Sequence, residues 1–250
     1  GAGIVMEAAL SAKVQKAILT SSVAAIGGSF SVRTATEDTP VNADDIGLDY
    51  SRSKLHGERE AQKAAAKGLP LVILRPAVIL GPNDILQSST STILAFVRRK
   101  MPVYVEGRPS FGDVREMAAA HVAALHKGRP GQVYILGGNN VTLTELLTAI
   151  EDLTGIAPPP RVPYPLAYSV AGVLEYMARL QKQHASLSRQ LAKAGHMCTW
   201  VSSDKAKAEL DYTIRPLTDS LRDTIRFFLT TGRLKPSTAK LRALADNSRN

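Results

Sequence analysis

An α/β fold built on a parallel sheet is predicted by three features of this 250-residue chain. Short apolar runs recur at 14–19 (V-Q-K-A-I-L), 69–74 (L-P-L-V-I-L) and 133–136 (V-Y-I-L). A long helical stretch at 50–67 separates the first two, and a helix at 114–126 precedes the third. Gly68, Gly81-Pro82 and Gly137-Gly138 punctuate them. Apolar runs of this length, bounded by Gly and Pro and interleaved with helices, read as strands covered on both faces.

The elements follow in order. Thr20-Ser21-Ser22 closes the first apolar run, and ligands of open parallel sheets bind outside the carboxyl ends of strands. The helix at 50–67 stops at Gly68. Residues 83–109 leave the sheet, with polar residues near 88–92 before a short helix at 92–100. Residues 110–138 return to it. Asp113 stands at the start of its helix as a cap. Beyond 139 the chain is mainly helical: Thr142 or Thr144 caps a helix ending near Thr154-Gly155, and Pro158-Pro159-Pro160 separates it from an amphipathic stretch. The last helix, 217–229, places Leu221, Ile225, Phe228 and Leu229 at core spacing. The expected organisation is a sheet domain at 1–82 and 110–138, a lobe at 83–109 and 139–232, and a basic tail at 233–250 expected to be disordered.

Composition narrows the function. The net charge is +9, but the basic residues are scattered, and no zinc-knuckle spacing or stacking motif accompanies them. No nucleic-acid partner is expected. The apolar stretch 162–173 contains Pro163 and Pro165 and meets Glu175 and Arg179 before the ~20 residues a membrane span needs, so no transmembrane segment is expected. Cys198 is the single cysteine, which excludes an internal disulfide and suggests a reducing, cytoplasmic setting; organellar targeting stays open. His56, His121, His126, His184 and His196 have no metal-site spacing, so no metal is expected.

The chemistry sits in Y-S-R-S-K, residues 50–54. Positions i and i+4 share a helix face, so the Tyr50 phenol and the Lys54 ammonium can be neighbours. A nearby cation stabilises phenolate and draws a tyrosine pKa down from ~10, toward the range where general acids and bases work best.

The ordered segments T-S-S-V-A-A-I-G (20–27), Y-S-R-S-K (50–54), L-P-L-V-I-L-R-P-A-V-I-L-G-P-N-D (69–84), G-D-V-R-E-M-A-A-A-H-V-A-A-L (112–125), Y-I-L-G-G-N-N-V-T-L-T-E-L-L (134–147) and S-S-D-K-A-K-A-E-L-D-Y (202–212) carry a resemblance. With them the chain resembles an extended short-chain dehydrogenase/reductase of the dihydroflavonol-reductase-like branch. Within that branch it is most similar to the hopanoid-associated sugar epimerase group. The resemblance implies an incomplete Rossmann-type parallel sheet with a smaller, mainly helical C-terminal substrate lobe. Residues 1–10 resemble the helix before the catalytic-serine strand; Ile4 stands where that helix often carries Asn. The family's G-x-x-G-x-x-G turn has no counterpart in these residues, so this chain alone is expected to bind dinucleotide weakly.

The resemblance also implies roles. Tyr50 would be general acid or base toward a substrate oxygen that Ser22 also holds. Lys54 would serve Tyr50 and the nicotinamide ribose. Thr20, Ser21 and the backbone of Pro76, Ala77 and Val78 would line the cofactor side, and Arg75 would be structural. NAD or NADP is the implied cofactor and a small molecule, sugar-like or flavonoid- or steroid-like, the substrate; a homodimer is compatible with it. Val23, Ala24 and Ala25 after the serine cannot do acid–base work, which favours carbonyl reduction, alcohol oxidation or epimerisation over dehydration or decarboxylation. The alternative is a non-catalytic fragment or a cofactor-dependent binding protein.

Overall fold

The computed structural model describes residues 1–87, 89–180 and 188–246, which fall into two compact units. The first comprises 1–79, 110–140 and 199–216. Its centre is a parallel sheet of β1 (Ala17–Thr20), β2 (Leu71–Pro76) and a third strand, Val133–Leu136, in which β2 is central. Register pairs Thr20 with Leu74 and Pro76 with Leu136.

Every residue of β2 is buried, as a strand covered on both faces requires. Leu71 and Ile73 pack with Met6 of α1 (Ala2–Ser11) and with Ala61 and Ala64 of α2 (Asp49–Ala66). Val72 and Leu74 point to the opposite face, onto Met117, Ala120 and Ala124 of a helix at Val114–His126. The alternation is the period of two that a pleated strand imposes. A second sheet joins β3 (Val78–Leu80), β4 (Ser110–Asp113) and the short Asn139–Asn140, the last two antiparallel.

The sequence reading placed 199–216 in the lobe, whereas these residues cluster with the sheet unit. The cause is a latch on Gly137, just past the third strand. Its N–H donates to Ser203 Oγ at 2.7 Å, and its carbonyl accepts from the Tyr212 hydroxyl at 2.6 Å. A Cβ on Gly137 would lie 2.6 Å from Val201 Cγ2, so the close approach needs glycine. Burial, aided by the negative charges of Glu116 and Asp113, pushes the Tyr212 phenol up from its ordinary value. A phenol whose folded pKa is raised is held neutral in the native state, so its contribution is complete below the unfolded pKa of ~10 and is lost as pH rises beyond it. The melting temperature should therefore fall more steeply above pH ~10 for the wild type than for Tyr212→Phe, as calorimetry across alkaline buffers would show.

The second unit comprises 80–109, 141–198 and 217–250. Its core brings together Ile93, Leu94 and Phe96 of α3 (Ser91–Val97), Leu146, Leu147 and Ile150 of the helix at Leu143–Thr154, and Leu221, Ile225 and Phe228 of the helix at Leu217–Thr230. With α4 for Val114–His126, the Leu143–Thr154 helix is α5, followed by α6 (Tyr164–Leu180), α7 (Arg189–His196), α8 (Asp204–Leu210, in the first unit), α9 (Leu217–Thr230) and α10 (Ala239–Asp246).

Thr142 caps α5. Its hydroxyl accepts from the Glu145 N–H at 3.1 Å, and Glu145 accepts from the Thr142 N–H at 2.6 Å, a reciprocal box that holds the Glu145 carboxyl below the usual range. Thr142→Ala should lower stability by about 1 kcal/mol in urea unfolding. The stretch expected as a disordered tail contains α10, which packs on α5 and α9 with Leu241 fully buried. Lys240 Nζ donates to the Asp152 carbonyl at 2.9 Å. Residues 247–250 lie outside the described residues.

Candidate active site

Three consecutive hydroxyls mark the end of β1. The Thr20 hydroxyl lies 2.9 Å from His121 Nε2, and His121 Nδ1 lies 2.7 Å from the Met117 carbonyl. Because Nδ1–H must donate to that carbonyl, Nε2 of the neutral ring accepts from Thr20. The Ser21 N–H donates to the Leu74 carbonyl at 2.7 Å, continuing the parallel ladder one residue beyond β1. Its Oγ is buried without a hydrogen-bond partner among the described residues. Ser22 is extended and half-buried; its Oγ accepts from the Ala24 N–H at 3.2 Å and so caps the single 3₁₀ turn Val23–Ala25.

That turn is held from two sides. Ala25 is buried with Ala43 and with Leu55 of α2, the residue after Lys54. Asn42 grips the chain just beyond the turn: its Oδ1 accepts from the Gly28 N–H at 3.1 Å, its Nδ2 donates to the Gly28 carbonyl at 2.9 Å, and its N–H donates to the Ile26 carbonyl at 2.9 Å. Gly27 adopts φ +109°, and a Cβ there would meet Asn42 Oδ1 at 1.8 Å.

Tyr50 is the second residue of α2 and is 60% exposed. Lys54 is half-buried, with Nζ 5.7 Å from the Tyr50 ring centroid, within reach of a cation–π contact. One turn further on, Glu58 is 1% exposed and takes two hydrogen bonds from Arg75 of β2, Nε to Oε1 at 2.9 Å and Nη2 to Oε2 at 2.6 Å. This planar fork fixes both the position of α2 on β2 and its rotation about its own axis. Tyr50, Lys54 and Glu58 form one stripe at helical spacing. Its last member anchors the first two.

Pro76 ends β2, immediately after Arg75. The Ala77 N–H donates to the Leu136 carbonyl at 2.9 Å, so that amide is already committed to the sheet. Ala77 is buried and Val78, opening β3, is half-buried. His56 is exposed and pairs with Asp44 at 3.2 Å; Asp44 also accepts from Arg59, whose hydrogen bond is the main reason its carboxyl lies below the usual range. Asp113 caps α4, accepting from the Arg115 N–H at 2.9 Å. Among the described residues no group of three His, Cys, Asp or Glu could hold a metal ion, and no helix is long and apolar enough to cross a membrane. His184 lies outside the described residues.

Asn42, Glu58 and His121's bond to Thr20 were not read from the sequence. The signal for Glu58 was present, since it continues the Tyr50–Lys54 spacing. Asn42 offers no comparable pattern.

Residues 1–137, more than half of the chain, match the model of the NAD-dependent epimerase/dehydratase family. The chain belongs to this family. Among family relatives, it is 32% identical over 237 residues to a putative dihydroflavonol 4-reductase of Synechocystis sp., covering 92% of this chain and 69% of that one. It is 33% identical over 166 residues to sterol demethylase protein B of Methylococcus capsulatus, covering 66% of this chain and half of that one. In three dimensions it superposes on a nucleoside-diphosphate-sugar epimerase, PA4631 of Pseudomonas aeruginosa, with a TM-score of 0.78 and 25% identity, covering 92% of this chain and 72% of that one. The family membership fits the parallel β1–β2–Val133–Leu136 sheet and the helices covering both its faces.

Proposed function

We propose that this chain carries the catalytic residues and substrate lobe of an NAD(P)-dependent carbonyl reductase, reversible as an alcohol dehydrogenase, for an apolar ring- or chain-bearing ketone of flavonoid or steroid type. The observation that carries the reading is the placing of the Lys54 ammonium 5.7 Å from the ring of an exposed Tyr50 on consecutive turns of α2. In the reducing direction Tyr50 gives its proton to the substrate oxygen, and the Lys54 charge stabilises the phenolate left behind. Ser22, whose Oγ accepts from the Ala24 N–H, keeps its own proton to donate to the same oxygen. A bound nicotinamide dinucleotide supplies or takes the hydride. Lys54 would hold its ribose hydroxyls, the unpartnered Ser21 Oγ offers it a polar contact, and the backbone at Pro76 to Val78 would border it. Val23 and Ala25 are buried and Ala24 is apolar, so the turn after Ser22 supplies no second acid or base for a dehydration.

The substrate class is supported by two relatives above 30% identity, named for a dihydroflavonol reductase and a sterol demethylase component. A second reading, epimerisation of a sugar nucleotide, is favoured by the likeness to PA4631. Assaying the full-length parent protein for oxidation of NADH and NADPH separates them. Turnover with flavanonol or steroid ketones, and none with nucleotide sugars, is the expected outcome. Interconversion of nucleotide-sugar epimers without net cofactor oxidation would replace the first reading with the second.

A further inference from the structure

The two hydroxyls assigned to one substrate oxygen sit on separate stretches of chain. Ser22 follows β1, and Tyr50 lies in the first turn of α2. The chain between the turn Val23–Ala25 and α2 is loop. A loop of that length does not by itself fix the spacing of its ends, yet two groups acting on one atom need it fixed. The Glu58–Arg75 fork supplies part of the answer, but it ties α2 to β2 and not to the chain leaving β1.

One side chain spans the remaining gap. Asn42 is half-buried, and its amide meets the main chain of Gly28 twice, Oδ1 accepting from the N–H at 3.1 Å and Nδ2 donating to the carbonyl at 2.9 Å. A donor and an acceptor face an acceptor and a donor, so a single orientation of the amide fits. The Asn42 N–H adds a third bond, to the Ile26 carbonyl at 2.9 Å. Ile26 and Gly27 in turn close the 3₁₀ turn that Ser22 caps, donating to the Val23 and Ala24 carbonyls at 3.0 and 3.1 Å.

The other end of the bracket rests on α2. The Asn42 carbonyl accepts from the Asp45 and Ile46 N–H groups at 3.0 and 3.1 Å, which winds 42–46 into a tight turn. Ala43 of that turn is buried with Leu55, the neighbour of Lys54. The Asp44 carboxylate takes Arg59 at 2.7 Å and His56 at 3.2 Å on the outer side of the same helix.

We propose that Asn42 is a positioning residue that sets Ser22 against Tyr50, its side-chain amide fastening the Ser22-capped turn to the loop seated on α2. The inference rests on the proposed reaction, in which both hydroxyls meet one oxygen. Asn42 itself touches no substrate. Without its amide the Gly28 N–H and carbonyl lose their partner, and the turn is free to shift relative to α2. A displacement of about 1 Å at a reacting group costs ~10²-fold in rate. The loss falls on kcat, because the two hydroxyls share their full hydrogen bonds with the oxygen only in the transition state.

Two measurements test this. The first follows kcat and KM of the full-length parent protein, with a ketone or a nucleotide sugar, whichever it turns over. Asn42→Ala should lower kcat by about 10²-fold with KM little changed. Lys16→Ala, which deletes a bond to the Gly128 carbonyl at the opposite end of β1, should leave kcat as it was. Asn42→Asp separates positioning from general stability. Its carboxylate still accepts from the Gly28 N–H but turns its second oxygen on the Gly28 carbonyl; once protonated, it donates there again. A carboxyl facing a carbonyl keeps its proton above the usual ~3.9, so kcat relative to wild type should rise as pH is lowered from about 8 to about 5. The same ratio for Asn42→Ala should stay flat.

The second measurement needs neither cofactor nor substrate. Hydrogen exchange on this chain should show the Ala25 and Ile26 amides of the turn losing protection by roughly tenfold or more in Asn42→Ala, while those of β1 and α2 keep theirs. Should Asn42→Ala unfold, Asn42→Asp at the two pH values carries both comparisons. Unchanged kcat, a rise in KM alone, or a turn as well protected as in wild type would overturn the inference while leaving the proposed reaction standing. A wild-type parent that turns over neither substrate would remove the reaction, and the role of Asn42 in it, even with the turn loosened as expected.

Discussion

Tyr50→Phe is expected to lower kcat of the full-length enzyme by about 10²–10⁴ while leaving the unfolding midpoint where it was. The two halves of this expectation have separate physical grounds. The phenol is the proton donor in the proposed reaction, and phenylalanine keeps the ring but removes the proton. The ring is 60% exposed and belongs to none of the buried clusters, so the fold does not depend on it. Cofactor consumption and urea unfolding should be measured on the same preparations. Near-wild-type turnover would remove Tyr50 from the mechanism. Lost turnover together with lost stability would assign it to the fold instead.

Glu58→Ala should destabilise the protein by about 3–5 kcal/mol, the typical effect of stranding one partner of a buried ion pair. Arg75 is 6% exposed and Glu58 1%, and the carboxylate is the partner of both guanidinium hydrogen bonds from Arg75. Removing the carboxylate leaves that cation in the sheet core beside Pro76. The double variant Glu58→Leu/Arg75→Met should recover most of the loss, since apolar replacement of a buried pair is often neutral or better. Its turnover should stay low, because greasy contacts do not fix the rotation of α2 as a two-pronged fork does. A double variant with full turnover would show that the pair serves stability alone, and a Glu58→Ala protein as stable as wild type would sink the argument altogether.

The sheet was legible because strands covered on both faces must be written in apolar residues. The run at 133–136 is the observed third strand, residue for residue. The run at 69–74 is displaced to Leu71–Pro76. An apolar pattern stops at a charge, and Arg75 is a charge that Glu58 lets into the core. At the other end, the first residues of 14–19 belong to the exit of α1: the Lys13 and Val14 amides bond back to Leu10 and Ala9, and β1 begins only at Ala17.

The stripe of Tyr50 and Lys54 was legible because a helix repeats every 3.6 residues. Asn42's grip on Gly28 and the bond between Thr20 and His121 were not. The first depends on loop geometry that no periodicity encodes, and the second joins residues 101 positions apart through the topology of the sheet. The basic tail misled for the opposite reason. Its charges are visible in the sequence, while the single leucine that fastens α10, Leu241, is not conspicuous.

The latch on Gly137 has a consequence for the order in which the molecule can be completed. The groups that receive its N–H and bond its carbonyl arrive 66 and 75 residues later in the chain. A nascent chain whose synthesis has not passed residue 212 possesses all three strands of the parallel sheet and cannot yet close the end of the last one. Domains of low contact order fold as they emerge, and distant contacts delay them. Here the rearmost stretch of the first unit, made after most of the second, is what seals the sheet. Ribosome-stalled chains ending before and after Tyr212 should therefore differ sharply in protease resistance.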